Sequence, residues 1–440
     1  MEVIIPKMYQ EYGRYITKFR ALPYKEDLLR PVERRILLGV NQVAKKFTKS
    51  AKVVGHVMGK WHGHGDTSIY NTLVRMVLLK IDKAGKKTLI EGQGNFGADG
   101  IQQIEAAAMR YTEVKRNPLI DSLCFQYIDY VPWEELEMDK EPVFVPAPIP
   151  IGLLGDSFNQ GIAFHRTIIP NYTIEDLTAR LDHLLGKRRA ITILPNYKNN
   201  EVLDTKGAKS ILTSGSGTVT FIPKHEIKDN RTIAIHGLAV DKFRKMLKIP
   251  NIEVADLSTD KINILVTLPE RGFHKLREKV LESITCSVKF ECLVVTESGT
   301  VEQTSIDEML LHSYRNFQSV VESYLQKQLA EELIRLDELK LILKIKKVLK
   351  KVHITSVDQL VNHFPEDERE SVRRICSKYR IQTLVDMSTS VIDKCETRIK
   401  EIKQSIKDID TVAYQRFKDL IKEGGSNVQN NEVLPGLVGA

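Results

Sequence analysis

Apolar residues recur at helical spacing in three successive segments near the start of the chain. The first segment begins at Pro31, and the second begins at Ser50, which is a candidate N-cap. The third covers residues 68–80 and follows Asp66 or Thr67 as its candidate cap. The predicted buried faces of these helices are Ile36, Leu37, Val40, Val43 and Phe47, then Val53, Val54 and Val57, and finally Ile69, Leu73, Met76 and Val77.

A glycine-rich turn joins the second and third predicted helices. Its sequence is Gly59-Lys60-Trp61-His62-Gly63-His64-Gly65-Asp66. The order helix, helix, glycine turn, helix is typical of helix-turn-helix and winged-helix modules, which place the last helix in the major groove of DNA. The start of the chain is therefore predicted to form a nucleic-acid-binding module.

Beyond about residue 136 the pattern changes to short β-branched runs separated by glycine turns. The predicted strands are residues 191–194, 219–222 and 262–268. From about Phe317 two heptad-like segments follow, the first in a helix of about forty residues. Their apolar positions are Val321, Leu325, Leu329, Leu333 and Leu336, then Ile392, Cys395, Ile399, Ile402, Ile406 and Ile409. They predict either ordinary core helices or an antiparallel coiled-coil arm with a small knob at its tip.

The composition is that of a globular protein, with 440 residues of which 42% are hydrophobic and 28% charged. The sequence contains no run of about eighteen uncharged apolar residues and no signal-peptide pattern. The five cysteines lack CxxC spacing, so neither a disulfide framework nor a cysteine zinc site is indicated. We therefore expect a cytoplasmic protein that does not bind membranes. The polar tail from Gly424 is expected to be disordered.

Positive charge is concentrated between residues 14 and 60. This stretch has twelve Lys and Arg against three acidic residues, whereas the whole chain has a net charge of +8. A solvated basic face is one interpretation. A surplus confined to one tenth of the chain instead favours a polyanionic partner, with nucleic acid as the first candidate.

His62 and His64 form a His-x-His pair beside this basic stretch. Such a pair can bind metal, but Asp66 is the only further ligand at a suitable spacing, which disfavours zinc. Contact with phosphate is the alternative. A histidine can donate a hydrogen bond to a scissile phosphate or help protonate a leaving alkoxide.

Residues 92–97, Gly-Gln-Gly-Asn-Phe-Gly, match the GxGxxG pattern of dinucleotide-binding folds and precede a possible helix from Ile101. A dinucleotide fold also needs repeated βαβ units and an acidic residue after a second strand. No such strand is expected in residues 109–118. The glycines instead favour a close turn that carries the following segment towards a nucleic-acid backbone, and a dinucleotide oxidoreductase is the alternative.

Arg110 and Tyr111 follow a run of alanines in the sequence Ala106-Ala107-Ala108-Met109-Arg110-Tyr111-Thr112-Glu113. A phenol has a reference pKa near 10, so at neutral pH it attacks a phosphodiester only when adjacent positive charge stabilises the developing phenolate. Arg110 is placed to supply that charge. A packing role for the tyrosine is the other interpretation, because aromatic residues mostly fill cores.

Five blocks of the sequence together resemble the breakage-reunion subunit of type IIA DNA topoisomerases, the family of the gyrase A and topoisomerase IV A subunits. The blocks are residues 20–23, 30–35, 50–66, 91–97 and 106–113. Their order and spacing match those of the family, and weaker similarity continues to the C-terminal helices. The short length and the lack of a β-pinwheel domain make the chain most similar to the medium subunit of the T-even phage topoisomerase.

The resemblance implies that Tyr111 is the nucleophile and that Arg110 assists it. The positions that match residues contacting DNA or the scissile phosphate are Arg20, Arg30, Arg34, Arg35, His62 and His64. Lys52 and Lys60, which lie within the matching blocks, are expected to contribute to DNA binding. Glu33 stands where relatives carry a basic residue.

Ile169 matches the isoleucine that wedges between base pairs and bends the cleaved DNA, and Ile168 is the alternative for this role. Thr67 and Asn71 match the positions that line the quinolone site, which are usually a small hydroxyl residue and an acid. Because Asn71 lacks the carboxylate, drug sensitivity is left open.

The resemblance also implies the reaction and the partners. Tyr111 would form a 5′-phosphotyrosyl link in each half of a homodimer, and a second duplex would pass the double-strand break. The chain has no Walker A motif and no acidic triad for magnesium, so ATP and Mg²⁺ are expected on a large partner subunit. The absence of a wrapping domain favours relaxation over supercoiling. An architectural DNA binder would share the basic helices without needing Tyr111.

The sequence thus predicts a multidomain fold of mixed α and α/β character. The predicted parts are a winged-helix DNA-binding and cleavage domain in residues 1–135, an α/β tower domain in 136–316, an antiparallel coiled-coil arm with a dimerisation knob in 317–423, and a disordered tail in 424–440.

Overall fold

The computed structural model of the protein describes residues 4–135, 138–162, 166–259, 261–352, 354, 356–380, 384 and 390–423. It contains helices and antiparallel sheets, which confirms the predicted mixed character, and it divides into two compact units. The first unit holds the described residues up to Phe317 and those from Lys418 onwards, and the second is Gln318–Phe417. The tail from Gly424 lies outside the described residues, and the domain boundaries stay predictions.

The helices of the described residues are α1 Ile4–Ile16, α2 Pro31–Val43, α3 Ser50–Lys60, α4 Asp66–Leu78, α5 Pro118–Phe125, α6 Ile174–Leu184, α7 Thr205–Ser214, α8 Phe273–Ile284, α9 Ile306–Lys351, α10 Val357–Val361, α11 Glu366–Lys378, α12 Ser390–Lys407 and α13 Ile409–Glu423. A π-helical turn, Thr17–Ala21, follows α1. None of these helices is long and apolar enough to cross a membrane.

The strands are β1 Thr48–Lys49, β2 Ile90–Gln93, β3 Glu113–Arg116, β4 Trp133–Glu135, β5 Lys140–Pro142, β6 Phe158–Ile162, β7 Arg166–Pro170, β8 Asn200–Val202, β9 Ser216–Pro223, β10 His225–Ile227, β11 Thr232–Ile235, β12 Glu253–Asp256, β13 Ile264–Thr267, β14 Cys286–Glu291, β15 Leu293–Val295 and β16 Val301–Gln303. Sheets of three, five and four strands have the orders β1-β3-β2, β6-β7-β14-β9-β8 and β10-β11-β13-β12. The last of these packs on α8, and Val280 and Ile284 of that helix join its apolar core.

Helices α2, α3 and α4 pack together beside the three-stranded sheet, and most of their predicted apolar faces are buried. Pro31 is the first residue of α2, where the missing N–H is not needed. Phe47, predicted on the same face, lies outside the helix and is exposed. The helix ends at Val43 because the next carbonyl, that of Ala44, accepts a hydrogen bond from Arg116 N of β3 at 3.0 Å.

Several other local predictions are wrong. Ser50 is the first residue of α3 rather than its cap, and α4 begins at Asp66 after Gly65. No helix begins at Ile101 in the described chain, and residues 113–116 form β3, although only Val114 of this short strand is buried. Residues 191–194 form no strand.

The backbone of residues 191–194 is satisfied in another way. The carbonyl of Ile191 accepts a hydrogen bond from the guanidinium of Arg180 at 2.6 Å, instead of pairing with a neighbouring strand. The predicted strands at 219–222 and 262–268 are confirmed within β9 and β13.

In the second unit, α9 packs against α12, and Leu336 and Leu339 of α9 contact Cys395 and Ile399. Further along α9, Ile342 and Ile345 share a second core with residues of α10 and α11. The long helix starts at Ile306, earlier than predicted. The second predicted helix is divided, because α12 ends at Lys407 and α13 begins at Ile409.

Two consecutive arginines of α2 are fully buried, and each forms a bidentate ion pair. Arg34 contacts both carboxylate oxygens of Asp27 at 2.8 and 3.1 Å, and Arg35 contacts Glu141 at 2.6 to 3.1 Å. The Asp27 carboxylate also accepts Val145 N at 3.1 Å. These pairs attach the segments around residues 27 and 141 to the same helix.

Glu33 completes the start of α2. Its carboxylate accepts the Arg30 amide at 2.9 Å and forms ion pairs with Arg30 at 2.7 Å and Arg75 of α4 at 3.2 Å. Burial raises the pKa of Glu33, but the positive charges of Arg30 and Arg75 outweigh burial and lower its pKa from 4.5 to about 2. An acidic residue at this position thus joins α2 to α4.

We expect Asp27→Ala to lower the free energy of unfolding by about 3–5 kcal/mol, because Arg34 is left buried and uncompensated. Urea unfolding followed by tryptophan fluorescence measures this, since Trp61 is 1% and Trp133 39% exposed. The control is Glu270→Ala, at an ion-pair side chain that is 83% exposed, with an expected change below about 0.5 kcal/mol. Equal small effects of both substitutions would contradict the prediction.

Glu33 makes stability depend on pH in a defined direction. Because its pKa is depressed in the folded state, its contribution is present above about pH 4.5 and is lost as the pH falls towards 2. The difference between the two pKa values corresponds to roughly 3 kcal/mol. We expect Glu33→Gln to be less stable at neutral pH and to lose less stability between pH 4.5 and 2, as measured by urea unfolding. Parallel pH profiles of variant and wild type would refute this.

Candidate active site

Tyr111 lies in a tight turn immediately before β3, and its side chain is 63% exposed. The turn is closed by a hydrogen bond from Tyr111 N to the carbonyl three residues earlier, at 2.8 Å. The first amides of α3 hold it: Ser50 N donates to the Thr112 carbonyl at 3.0 Å, and Ala51 N donates to the Met109 carbonyl at 3.2 Å. Helix N-terminal amides need partners outside the helix, so the same bonds complete α3 and fix the turn.

Side chains of α3 and α4 reinforce the turn. Thr112 is buried, and its hydroxyl donates to Ser50 Oγ at 2.8 Å. The hydroxyl of Tyr70 donates to the Ala107 carbonyl at 2.5 Å and lies 3.0 Å from Thr112 Oγ1. The backbone on both sides of Tyr111 is therefore bound to two helices, while the phenol itself points to solvent.

The glycine loop packs directly against this segment. Gly94 and Gly97 have φ values of +106° and +86°, which favour glycine. A Cβ on Gly97 would lie 2.4 Å from the Ile104 carbonyl oxygen, and one on Gly94 would lie 3.3 Å from the Tyr111 carbonyl oxygen. The glycines thus permit close packing of this loop against the protein backbone, and the predicted approach to a nucleic-acid backbone stays a prediction. Strands β2 and β3 on either side are antiparallel, which is not the arrangement of a dinucleotide-binding βαβ unit.

Arg110 lies next to the candidate nucleophile. Its guanidinium carbon is 4.7 Å from the centroid of the Tyr111 ring, and both side chains are exposed. This is a cation–π contact between two neighbours of a tight turn. A phosphate that approaches the Tyr111 oxygen therefore meets a fixed positive charge at the same place.

His62 lies just beyond the C-terminus of α3 and is oriented by Arg35. Nη1 of Arg35 is 2.8 Å from His62 Nδ1, and the rings of His62 and His64 are 4.7 Å apart. Since a guanidinium only donates, Nδ1 accepts, and the proton of the neutral imidazole is on Nε2. His62 is buried in this structure, with 6% of its surface exposed, and its predicted contact with phosphate stays a prediction.

The predicted DNA-binding cations differ in how accessible they are. Arg20 and Lys52 are exposed. Lys60 is half-exposed and lies 4.0 Å from Asp139. Arg30 is half-buried in its pair with Glu33.

Arg34 and Arg35, which are predicted to contact DNA or phosphate, are buried in this structure. Both guanidiniums are 0% exposed and are held by the carboxylates of Asp27 and Glu141. Arg34 stabilises the fold through Asp27, and Arg35 contacts His62 of the site.

The wedge assignment also changes. Ile169 is 0% exposed in β7 and would have to leave the core to insert between base pairs, whereas Ile168 is half-buried on the same strand. Burial thus favours Ile168, the second of the two predicted candidates, and the wedge role itself stays a prediction. Thr67 and Asn71 are both exposed, four residues apart on α4, so they share one face of the helix.

Among the described residues, no group of three or more His, Cys, Asp or Glu could hold a metal ion. The rings of His62 and His64 contact each other, and His62 also contacts Arg35.

Tyr111 and the histidines occupy opposite ends of α3. The Tyr111 turn is bound at Ser50 and Ala51, while His62 follows the last residue, Lys60. The helix has 11 residues, so its ends are roughly 16 Å apart. Within one copy of the chain, the histidines are thus separated from the tyrosine by the length of this helix.

Sequence reasoning missed the residues that support the site. Glu141, which binds Arg35, is 106 positions away from it, and Tyr70 is 37 positions from the carbonyl that it binds. No local spacing relates such residues. A buried role for some of the arginines could have been suspected only from the nearby acids Asp27 and Glu33.

Known proteins are similar to this chain over most of its length. Residues 20–424 match the family model of the DNA gyrase/topoisomerase IV A subunit. The chain is 26% identical to the DNA gyrase A subunit of Halalkalibacterium halodurans, over 94% of this chain and 54% of the relative. It is 28% identical to the DNA topoisomerase 4 A subunit of Borreliella burgdorferi, over 82% of this chain and 55% of the relative.

A third relative, the DNA gyrase A subunit of Helicobacter pylori, is 34% identical over 48% of this chain and 25% of its own length. The chain thus spans about half the length, or less, of these curated relatives. Because the family model covers most of the sequence, including the Tyr111 turn and the helices that hold it, the chain belongs to the A-subunit family of DNA gyrase and topoisomerase IV.

Proposed function

We propose that this chain is the DNA breakage-reunion subunit of an ATP-dependent type II topoisomerase, with Tyr111 as the nucleophile. The observation that carries the proposal is the exposed Tyr111 side chain, next to Arg110, on a turn that α3 and α4 hold in place. A tyrosine that served only packing would be buried. Membership of the A-subunit family supports the same function.

The proposed step is a transesterification. The Tyr111 oxygen attacks the phosphorus of a DNA phosphodiester and forms an O–P bond as the bond from phosphorus to the 3′ oxygen breaks. The phenol loses its proton and the 3′ oxygen gains one, which leaves a 5′-phosphotyrosyl link and a free 3′-hydroxyl. Arg110 stabilises the developing negative charge, and His62 donates from Nε2 to a phosphate oxygen or to the leaving oxygen. Resealing is the reverse reaction.

We assign Mg²⁺ and ATP to a large partner subunit, since the described residues offer no metal cluster. Double-stranded DNA is the substrate, and the complex is proposed to act in the cytoplasm, or in that of a host if the protein is viral. We also propose that the chain is most similar to the T-even phage medium subunit. The complex is proposed to relax DNA in preference to supercoiling it.

The architecture of the described residues supports the proposed topoisomerase function. Three helices beside a three-stranded sheet suit a winged-helix module, and the five- and four-stranded sheets suit a tower domain. The pairing of α9 with α12, next to the small core of α10 and α11, suits a coiled-coil arm with a dimerisation knob. We propose a homodimer through this knob.

The position of the two groups on α3 favours an active site shared between the two copies of a dimer. Because roughly 16 Å of helix separates the histidines from the tyrosine of one copy, each Tyr111 is proposed to meet His62 of the second copy. Each strand of the duplex is then cut by residues from both copies.

We expect Tyr111→Phe to leave the DNA dissociation constant unchanged and to reduce covalent capture of DNA by at least about 1000-fold, because the attacking oxygen is absent. The assay is recovery of protein-linked DNA from the full assembly after denaturation. The control is Tyr12→Phe on α1, at a tyrosine that is 58% exposed and far from the turn in sequence. Protein-linked DNA at wild-type levels from Tyr111→Phe would refute the proposed nucleophile. A wild-type assembly that binds DNA but never forms such links would favour the architectural function.

The shared site is tested with mixed dimers. A dimer of one Tyr111→Phe protomer and one His62→Asn protomer retains one complete site if the sites are shared, and should nick one strand. The Asn side chain keeps an acceptor for Arg35. The control dimer carries both substitutions in one protomer opposite a wild-type protomer, and it should not cleave. The reverse result, with nicking only by the control dimer, would place each site within one protomer.

A further inference from the structure

The segment that leads into the Tyr111 turn is attached to a distant sheet. We name residues 98–104 the docking loop, which is closed by two hydrogen bonds between the backbones of Ala98 and Ile104, at 3.0 and 3.1 Å. The loop has no regular secondary structure of its own, apart from this bridge. Its path therefore depends on contacts with other parts of the first unit.

Polar contacts reach the docking loop from the four-stranded sheet, from the connection between β11 and β12, and from the segment before β8. Asp256, the last residue of β12, accepts a hydrogen bond from Ile101 N to Oδ2 at 2.8 Å. Two lysines supply the others: Lys242 Nζ donates to Gln103 Oε1 at 2.8 Å, and Lys198 Nζ lies 3.2 Å from Asp99 Oδ2. The Ile101 side chain also packs against the apolar core of the same sheet.

Asp256 is a fixed carboxylate. Its Oδ1 accepts Ser258 N at 3.0 Å, which leaves Oδ2 directed at the docking loop. Burial opposes ionisation of Asp256, but hydrogen bonds from Ser258 and from the amides of Ile101 and Gln102 lower its pKa below the ordinary value. The group is therefore charged at neutral pH, and charged acceptors make the stronger hydrogen bonds.

Gly100 permits this contact. A Cβ at Gly100 would lie 2.9 Å from Asp256 Oδ2, so any larger residue must displace the carboxylate. The φ of Gly100 is not in the left-handed region, so alanine is compatible with its backbone. A Gly100 substitution thus acts on the Asp256 contact and not on the local backbone conformation.

We propose that Asp256 is a positioning residue for the Tyr111 nucleophile, acting through the docking loop. The loop is joined to the turn by residues 105–110, which are bound at Ala107 by Asn95 and Tyr70. Asp256 fixes the docking loop on the sheet, and α3 fixes the Tyr111 turn. Residues 105–110 therefore join two fixed segments. The inference rests on the proposed function, because it takes Tyr111 as the attacking group.

The test uses the complete assembly, including the large partner chain, and separates DNA binding from chemistry. We expect Asp256→Ala to change the DNA dissociation constant less than twofold and to slow single-turnover formation of the covalent link about tenfold, because a small displacement of a reacting group has a large effect on rate. Asp256→Asn should recover part of the rate, since its amide oxygen still accepts one amide. Gly100→Ala should slow the step similarly, and adding it to Asp256→Ala should have little further effect.

The matched control is Asp229→Ala. Asp229 lies before β11 of the same sheet and also accepts backbone amides, those of Arg231 and Thr232, but both belong to its own turn. We expect a wild-type cleavage rate for this variant. An equal rate for Asp256→Ala and Asp229→Ala, or equal losses of DNA binding and cleavage for Asp256→Ala, would overturn the proposal.

Failure of the proposed function gives a different result. In that case the wild-type assembly forms no covalent link, or Tyr111→Phe still forms one. If wild type cleaves through Tyr111 and the Gly100→Ala effect is fully additive with that of Asp256→Ala, the proposed function stands and the positioning role of Asp256 is refuted.

Discussion

The site depends on two charged groups that are buried in α2. Arg34 and Arg35 are adjacent in sequence, so their side chains leave the helix about 100° apart, and each one meets a carboxylate from a different segment. A buried guanidinium is tolerated only with a well-aligned partner, so the positions of Asp27 and Glu141 are fixed as strictly as those of the arginines. Arg35 also holds His62, which links the packing of α2 to the orientation of the imidazole that is proposed to bind phosphate.

The Tyr111 segment has no comparable support within itself. It lies in irregular backbone, where a loop must be held by neighbours to present a reactive group reproducibly. The amides at the start of α3 provide one attachment, Tyr70 of α4 provides a second, and Asp256 of β12 provides a third. Two of these attachments belong to the helical module and one to the four-stranded sheet, so the turn is sensitive to both.

The sequence predicts the parts of this arrangement that follow local rules. Helices α3 and α4 follow from apolar periodicity, and the exposed Arg110–Tyr111 pair follows from its residues. The burial of Arg34 and Arg35 does not follow from such local rules. A run of lysine or arginine normally indicates a solvated or anion-binding face, and the acids that neutralise these two arginines lie outside any periodic pattern. Strand β3 is missed for a related reason: four residues with one buried valine carry too little alternation, and its pairing partners are distant in the chain.

The burial of the α2 arginines also changes the interpretation of the positive charge between residues 14 and 60. Four of its twelve cations have largely buried side chains that pair with carboxylates, namely Lys25 and the three arginines of α2 and its N-cap. The exposed lysines include Lys45, Lys46, Lys49 and Lys52, which lie between the end of α2 and the first turn of α3. That end of α3 is also where the Tyr111 turn is bound. Phosphate contacts position a duplex without reading its sequence, so this charge favours placement of a strand beside the phenol over recognition of particular bases.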